Sequence, residues 1–474
     1  MRKDEGGTMD GEPGAFWRPE SPASGCDERT CFGRRPQPLA PGRGNPYDFS
    51  MASTNYDQRR DYERMDAAAL EEHQLERLNR LLARILPHNS YYSEALAEVR
   101  LPLDSLDGLA QIPFTFKEDL VGGLATGDFA RHLTYPVSQY VRFHQTSGTR
   151  GRPLVVLDTA EDWQWWIDCW QYVLDAAEIS ASDCVFMAFS FGPFVGFWSA
   201  FDAAASRGAL MVPGGGLSTL ARLELMRTSR ASAVFCTPSY ALHLAEAAAA
   251  RKFSVADLPV RTLVLAGEPG GSIPAVRARI EEAWQAQVID HAGATEVGPW
   301  GYSDRQRRGV HVLESEFIAE FLSVESGQPA AEGELAELVL TNLGRFGSPV
   351  IRYRTGDLVR PVWQHDLENR FVLLDGGIVG RTDDMLTVRG VNVFPTALEQ
   401  IIRSFPEVQE YQAIVCKIEA MDQITISVED RLGRPERIAE EVQLRLGLKV
   451  EVHCVALGSL PRFEGKGSRL VDQR

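Results

Sequence analysis

The chain has 474 residues, of which 44% are hydrophobic and 24% charged, with a net charge of -16. That length suits one large domain and a smaller one, and the apolar content can fill a sizeable core. The acidic balance offers no broad positive field for nucleic acid or an anionic membrane, and no apolar run approaches the ~20 residues of a spanning helix.

Residues 1–50 are rich in Gly, Pro, Arg and acidic residues and show no periodicity. Such a segment buries too little apolar surface to offset its ordering, so a disordered extension is expected, with Met51 as an alternative start. The opening MRKDEGGTMDGEPG lacks the apolar stretch of a secretory signal. Seven scattered cysteines (Cys26, Cys31, Cys169, Cys184, Cys236, Cys416, Cys454) read as reduced thiols of a cytoplasmic protein. No CxC or CxxC pair occurs, so no structural zinc is expected. The spacing from Asp61 to Leu86 predicts a helix.

From about Tyr140 to Asp375 short apolar runs (VFMAFS, ALMVPG, AVFCTPS, TLVLAGEP, QVIDHAG) alternate with amphipathic segments or Gly/Pro turns. This pattern predicts a layered α/β sheet with ligands near the strand ends. ELAELVLTNL and IRYRTGDLV read as further β structure, and the tail from about Arg381 as a compact α+β unit.

Between two strand-like runs, YVRF and LVVL, stands His144-Gln145-Thr146-Ser147-Gly148-Thr149-Arg150-Gly151-Arg152-Pro153. Glycines let backbone amides approach an anion, Thr146, Ser147 and Thr149 add hydroxyl donors, and Arg150 or Arg152 can grip phosphate bidentately. A polar hairpin turn is the plainer reading of the same residues. Three more segments follow: His291-Ala292-Gly293-Ala294-Thr295-Glu296, then Tyr353-Arg354-Thr355-Gly356-Asp357-Leu358, then Gly380-Arg381-Thr382-Asp383-Asp384 leading to Arg389-Gly390-Val391-Asn392-Val393-Phe394-Pro395.

In this order the four segments resemble the core motifs of the adenylate-forming superfamily of acyl-CoA synthetases, adenylation domains and luciferases. CTPSYALHLAE, AGEPGG, PVIRYRTGDL and RGVNVFP resemble its phenylacetate–CoA ligase branch, from about residue 70 onward. The resemblance implies a large AMP-binding domain over 51–380 and a small mobile lid domain over 381–474. It implies activation of an aromatic acid, phenylacetate- or benzoate-like, with ATP and Mg²⁺, followed by transfer to coenzyme A. Cytoplasmic placement and a small-molecule acid as partner go with it, and a homodimer is left open.

The resemblance also implies site roles. Thr295 is expected to donate to the α-phosphate and Glu296 to hold Mg²⁺, which prefers oxygen ligands. Asp357 should accept from both ribose hydroxyls, with Arg381 steadying the same region. Gly267, Glu268, Pro269, His291, Ala292 and Gly293 fall in nucleotide-binding segments. Lys466, between Gly465 and Gly467, is the expected catalytic lysine, Asp383 the hinge, and Gly390 the point where pantetheine passes. The plain alternatives are a solvated tail lysine, a simple linker, a helix-start carboxylate for Glu296 and a turn residue for Asp357.

Departures from the pattern are visible too. Ala292 stands where an aromatic is usual, Arg150 where Thr is frequent, and Arg152 where Lys is frequent. The aromatic run from Phe186 to Trp198 supplies Phe189, Phe191 and Phe194 as candidate acid-pocket rings, with Trp300 beside the Thr-Glu motif; ordinary core packing is the competing account. Other readings are loading of a carrier-protein phosphopantetheine, AMP transfer onto another molecule, or a non-catalytic ATP sensor.

Overall fold

The computed structural model describes residues 54–122, 129–146, 153–363, 368–389, 391–418, 421–462 and 469–474. The extension expected over 1–50 lies outside them. The helix expected over Asp61–Leu86 is two helices, Tyr56–Glu63 and Ala67–Ile85. Asp66 divides them. Its backbone is extended and its carboxylate accepts from the Ala69 N–H at 2.9 Å. An N-cap residue stands outside helical dihedrals, so a second helix starts where the first would have run on.

A hairpin of β1 (Tyr140–Gln145) and β2 (Val155–Thr159) leads directly into helix α1 (Ala160–Ala176). Thr159 caps α1 in a reciprocal box: its hydroxyl accepts from the Asp162 N–H at 3.1 Å, and Asp162 accepts from the Thr159 N–H at 2.9 Å. Four tryptophans of α1 (Trp163, Trp165, Trp166, Trp170) are buried, which makes it the central packing element of the large core.

The main sheet has nine strands. Leu210–Pro213, Cys184–Met187, Ala233–Cys236 and Thr262–Leu265 run parallel to one another, with helix α2 (Pro238–Ala250) in one of the crossovers. The parallel set ends on β3 (Gln287–Ala294), which pairs antiparallel with β4 (Gly298–Tyr302). The five apolar runs named above are thus all strands; the central Ala233–Cys236 and Thr262–Leu265 are fully buried, whereas Leu210–Pro213 at the sheet edge is partly exposed. A second, four-stranded antiparallel sheet places Phe317–Ser323 beside β5 (Ala336–Asn342), β6 (Tyr353–Val359) and β7 (Gly380–Arg381).

The tail forms its own four-stranded sheet of Glu451–Cys454, Met421–Asp430, Val408–Ile418 and Leu470–Asp472, with helices Pro395–Arg403 and Pro435–Leu446. Leu398, Ile402, Val415, Ile426, Ile438 and Val442 make a core separate from that of the main sheet. It meets the main body through Arg279, which donates to the Val408 carbonyl at 3.0 Å, and Arg462, whose Nε lies 3.4 Å from Glu246.

One polar anchor carries unusual weight. Asp175, near the end of α1, accepts from Arg59 at 2.7 and 3.0 Å and pairs with Arg207. It pins the first helix to the core. Asp175→Ala leaves the buried Arg59 without its carboxylate, while Arg207 keeps Gln171 and the Ile179 carbonyl, so unfolding free energy should fall by about 3 kcal/mol. Denaturant titration reads this directly, and a loss near zero would show that water replaces the carboxylate without penalty.

Candidate active site

The β1–β2 hairpin closes on Thr146. Its N–H donates to the Leu154 carbonyl at 2.9 Å, and its hydroxyl accepts from the Leu154 N–H at 3.0 Å. Thr146 therefore seals the neck of the loop, while Ser147, Gly148, Thr149, Arg150, Gly151 and Arg152 lie outside the described residues.

Thr295 and Glu296 form the turn between β3 and β4, where Ala294 sits opposite Gly298. No helix begins there, so the helix-start reading of Glu296 does not apply. The Glu296 carboxylate accepts from the Tyr353 hydroxyl at 2.8 Å. Burial, and then the charge of Glu296, raise the Tyr353 pKa well above the usual phenol value, so the hydroxyl remains a donor.

Tyr353 begins β6, and Asp357 lies four residues on, beyond a bulge in the β5–β6 register. Asp357 stands opposite Arg381 across the β6–β7 pair and accepts from its Nη1 at 2.6 Å. Arg381 Nε donates to Asp383 at 2.9 Å. Burial disfavours the Arg381 charge, but Asp357 and Asp383 outweigh it and raise its pKa above the ordinary value. Gly356 has φ +74°, and a Cβ there would sit 3.2 Å from Arg381 Nη2. That close approach in a left-handed conformation calls for glycine. The chain thus forms two polar groups, Glu296 with Tyr353 and Asp357 with Arg381 and Asp383, both built on strand β6.

His291 is buried on β3, its Nδ1 paired with the Gly301 carbonyl at 2.8 Å and its ring 4.1 Å from that of Trp170. A carbonyl partner requires the proton on Nδ1. Burial lowers its pKa to about 4. Ala292 is buried in the main core, and Gly293 is exposed at the strand end. His132, behind the site, is lowered to about 3 by burial and by Arg345. Both imidazoles are neutral when folded, whereas unfolded ones take up protons below 6.5. Their contribution to stability is complete above pH 6.5 and is lost as pH falls from 6.5 toward 4 and 3. His132→Phe should therefore flatten the loss of stability between pH 6.5 and 4, measured by urea midpoints; an unchanged slope would show that this imidazole does not titrate differently on folding.

Glu268 reaches the start of α2. Its carboxylate accepts from the Ser239 N–H in the first turn of α2 at 2.7 Å, and burial raises its pKa. Gly267 and Pro269 beside it are exposed beyond the end of strand Thr262–Leu265. Among the candidate pocket rings, Phe189 and Phe191 meet edge to face at 6.3 Å. Phe189 also meets Phe197 at 5.2 Å, and Phe191 meets Trp198 at 4.5 Å. Phe194 is 42% exposed, and Trp300 is buried in the main core. Gly390 and Lys466 lie outside the described residues. Among those described, no cluster of three His, Cys, Asp or Glu could hold a metal by itself, and no helix is long and apolar enough to cross a membrane.

Sequence reasoning passed over Tyr353, Asn342, Arg345 and Asp158. Tyr353 was inside a recognised motif but had no assigned role. Arg345 offers only one signal, an arginine in a glycine-flanked loop just ahead of PVIRYRTGDL.

Residues 390–474 match the family model described as the AMP-binding enzyme C-terminal domain. A phenylacetate–coenzyme A ligase of Thermus thermophilus is 32% identical over 85% of this chain and 96% of its own length. One from Escherichia coli K12 is 33% identical over 78% of this chain and 86% of its own. Among solved structures, 2-hydroxyisobutyryl-CoA ligase in its postadenylation state superposes with a TM-score of 0.83 at 26% identity, covering 90% of this chain and 96% of that one. The same enzyme in its thioesterification state gives 0.67 at 27% identity, covering 90% and 95%. Fold and relatives together define an adenylate-forming enzyme, one that activates an acid with ATP. More narrowly, the chain belongs to the phenylacetate–coenzyme A ligase family and is an AMP-forming acid–thiol ligase.

Proposed function

We propose that this enzyme converts an aromatic acid, phenylacetate- or benzoate-like, to its coenzyme A thioester through an acyl-adenylate. The observation that carries the reading is that strand β6 holds both the Tyr353 partner of the Thr295–Glu296 turn and the Asp357–Arg381 pair. This arrangement sets a hydroxyl and a carboxylate for a cation, both on the β3–β4 turn, against the strand that carries a carboxylate for ribose. The rings of Phe189, Phe191, Phe197 and Trp198 support an aromatic substrate.

In the first half-reaction a carboxylate oxygen of the acid bonds to the α-phosphorus, and the bond from that phosphorus to pyrophosphate breaks. Thr295 donates to the α-phosphate, and Asp357 holds the ribose while keeping Arg381. Lys466 offsets the charge of the approaching anions. No covalent enzyme nucleophile is required, since positioning and electrostatics suffice for phosphoryl chemistry. Glu296 offers one carboxylate for Mg²⁺, which ordinarily takes one or two carboxylates and completes its shell with phosphates and water; the residues present fit that mode, and the cation would neutralise phosphate charge. In the second half-reaction the thiol sulfur of coenzyme A bonds to the acyl carbon and AMP leaves. Turning of the 381–474 unit about Asp383 would separate the halves, a reading supported by the higher similarity to a postadenylation structure than to a thioesterification one. The five described cysteines are all free, which supports a reducing, cytoplasmic setting.

Thioester formation over a panel of aryl, arylacetic and short aliphatic acids tests the proposal. Aryl or arylacetic acids should dominate. Dominance of aliphatic acids would overturn the aromatic assignment, and activation without any coenzyme A thioester would point to a carrier-protein thiol.

A further inference from the structure

The loop over 343–352 joins β5 to β6, and its first half packs against the Thr295–Glu296 turn. Its backbone runs so close to α1 that a Cβ on Gly344 would lie 2.2 Å from Trp165. Arg345 in this loop is fully buried. Its Nη1 donates to the carbonyls of both Thr295 and Glu296, at 3.1 and 3.0 Å. The next carbonyl, of Val297, accepts from Asn342 Nδ2 at 3.0 Å. Three successive carbonyls of one turn are thus held by two buried side chains from a single short stretch of sequence.

The other side of the guanidinium grips the strand that leaves the Thr146 loop. Arg345 Nε donates to Asp158 on β2 at 2.8 Å, and neither side chain is exposed. Trp166 donates to the same carboxylate oxygen at 3.2 Å, and the Arg345 guanidinium stands 5.2 Å from the Trp166 ring centre. A planar fork with several donors in fixed directions can make these bonds at once; an ammonium on a flexible stem cannot.

We infer that Arg345 and Asn342 are positioning residues for adenylation, fixing the backbone of the Thr295–Glu296–Val297 turn relative to β2. The inference rests on the roles proposed for Thr295 and Glu296. Those two groups act only if placed to within a fraction of an ångström of their phosphate and cation targets. Side chains at a turn gain that precision when the turn's own carbonyls are held. Thioester formation from a ready-made acyl-adenylate makes no α-phosphorus bond and should not need it.

The test compares half-reactions in the full-length enzyme. Arg345→Lys keeps a charge for Asp158 but cannot hold two carbonyls as well. Its kcat for acid-dependent pyrophosphate exchange should fall roughly 10- to 100-fold, the effect expected of a small misplacement of catalytic groups, with the ATP KM within about threefold. Thioester formation from supplied acyl-adenylate should stay within about twofold of the unmutated rate on the same principle. Asn342→Ser should show the same split with a smaller drop, and it serves if Arg345→Lys does not fold. A purely structural role would lower both half-reactions in proportion, and that result, or no drop in exchange, would overturn the inference. Absence of exchange in the unmutated enzyme would instead overturn the activity reading on which it depends.

Discussion

Lys466→Ala is expected to lower acid-dependent pyrophosphate exchange by about 10²–10³-fold, the range for removing one preorganised charge-stabilising donor. Lys466 stands between Gly465 and Gly467, and no other lysine follows Lys449. Arg462, at one end of this segment, is fixed by Glu429 at 2.7 Å. Arg469, at the other end, is fixed by Glu410 at 2.7 and 3.0 Å. Two anchored arginines thus bracket the lysine by sequence. During adenylation two anions approach each other, the acid's carboxylate and the α-phosphate, and a cation helps most when their charges are closest. Thioester formation from supplied acyl-adenylate lacks that encounter and should be little changed. A Lys466→Ala enzyme with normal exchange would remove the lysine from the mechanism.

The second large effect concerns Asp357. The residue is 7% exposed, and its carboxylate already accepts from Arg381 at 2.6 Å. A carboxylate has lone pairs enough to keep that bond and take two hydroxyls besides. Hydrogen bonds to charged groups contribute about 1.5–3 kcal/mol each, so Asp357→Ala should raise the ATP KM at least tenfold. Steady-state kinetics in ATP at saturating acid measures it. Asp357→Asn keeps one acceptor oxygen and should fall between the two. An ATP KM unchanged in Asp357→Ala would place the ribose elsewhere and leave Asp357 as the structural partner of Arg381.

Much of this architecture was legible in the sequence because its signals are local. Each of the five apolar runs is short, bounded by turn residues and rich in β-branched or aromatic side chains, and each is a strand of the main sheet. The four ordered motifs pointed to the superfamily, and CTPSYALHLAE, AGEPGG, PVIRYRTGDL and RGVNVFP to its branch, which the relatives bear out. The helical spacing over Asp61–Leu86 is borne out apart from the break at Asp66, which the pattern hides because its periodicity continues through a residue whose side chain is a better cap than helix interior.

The support beneath the Thr-Glu turn was not legible, and the reason is distance along the chain. Arg345 lies 187 residues from Asp158 and 50 from Thr295, so nothing in a local window links them. Glu268 shows the same distance. Its setting in AGEPGG marks it as a ligand residue, but not that one carboxylate oxygen accepts from Ser239, 29 residues earlier. The partner of a buried charge is set by packing, and only the folded chain reveals it.

The most direct test of the central claim is exchange of labelled pyrophosphate into ATP, driven by phenylacetate or benzoate, with no coenzyme A present. The account predicts exchange that rises with the acid, saturates, and is lost in Lys466→Ala. No exchange with any aryl, arylacetic or aliphatic acid would contradict it.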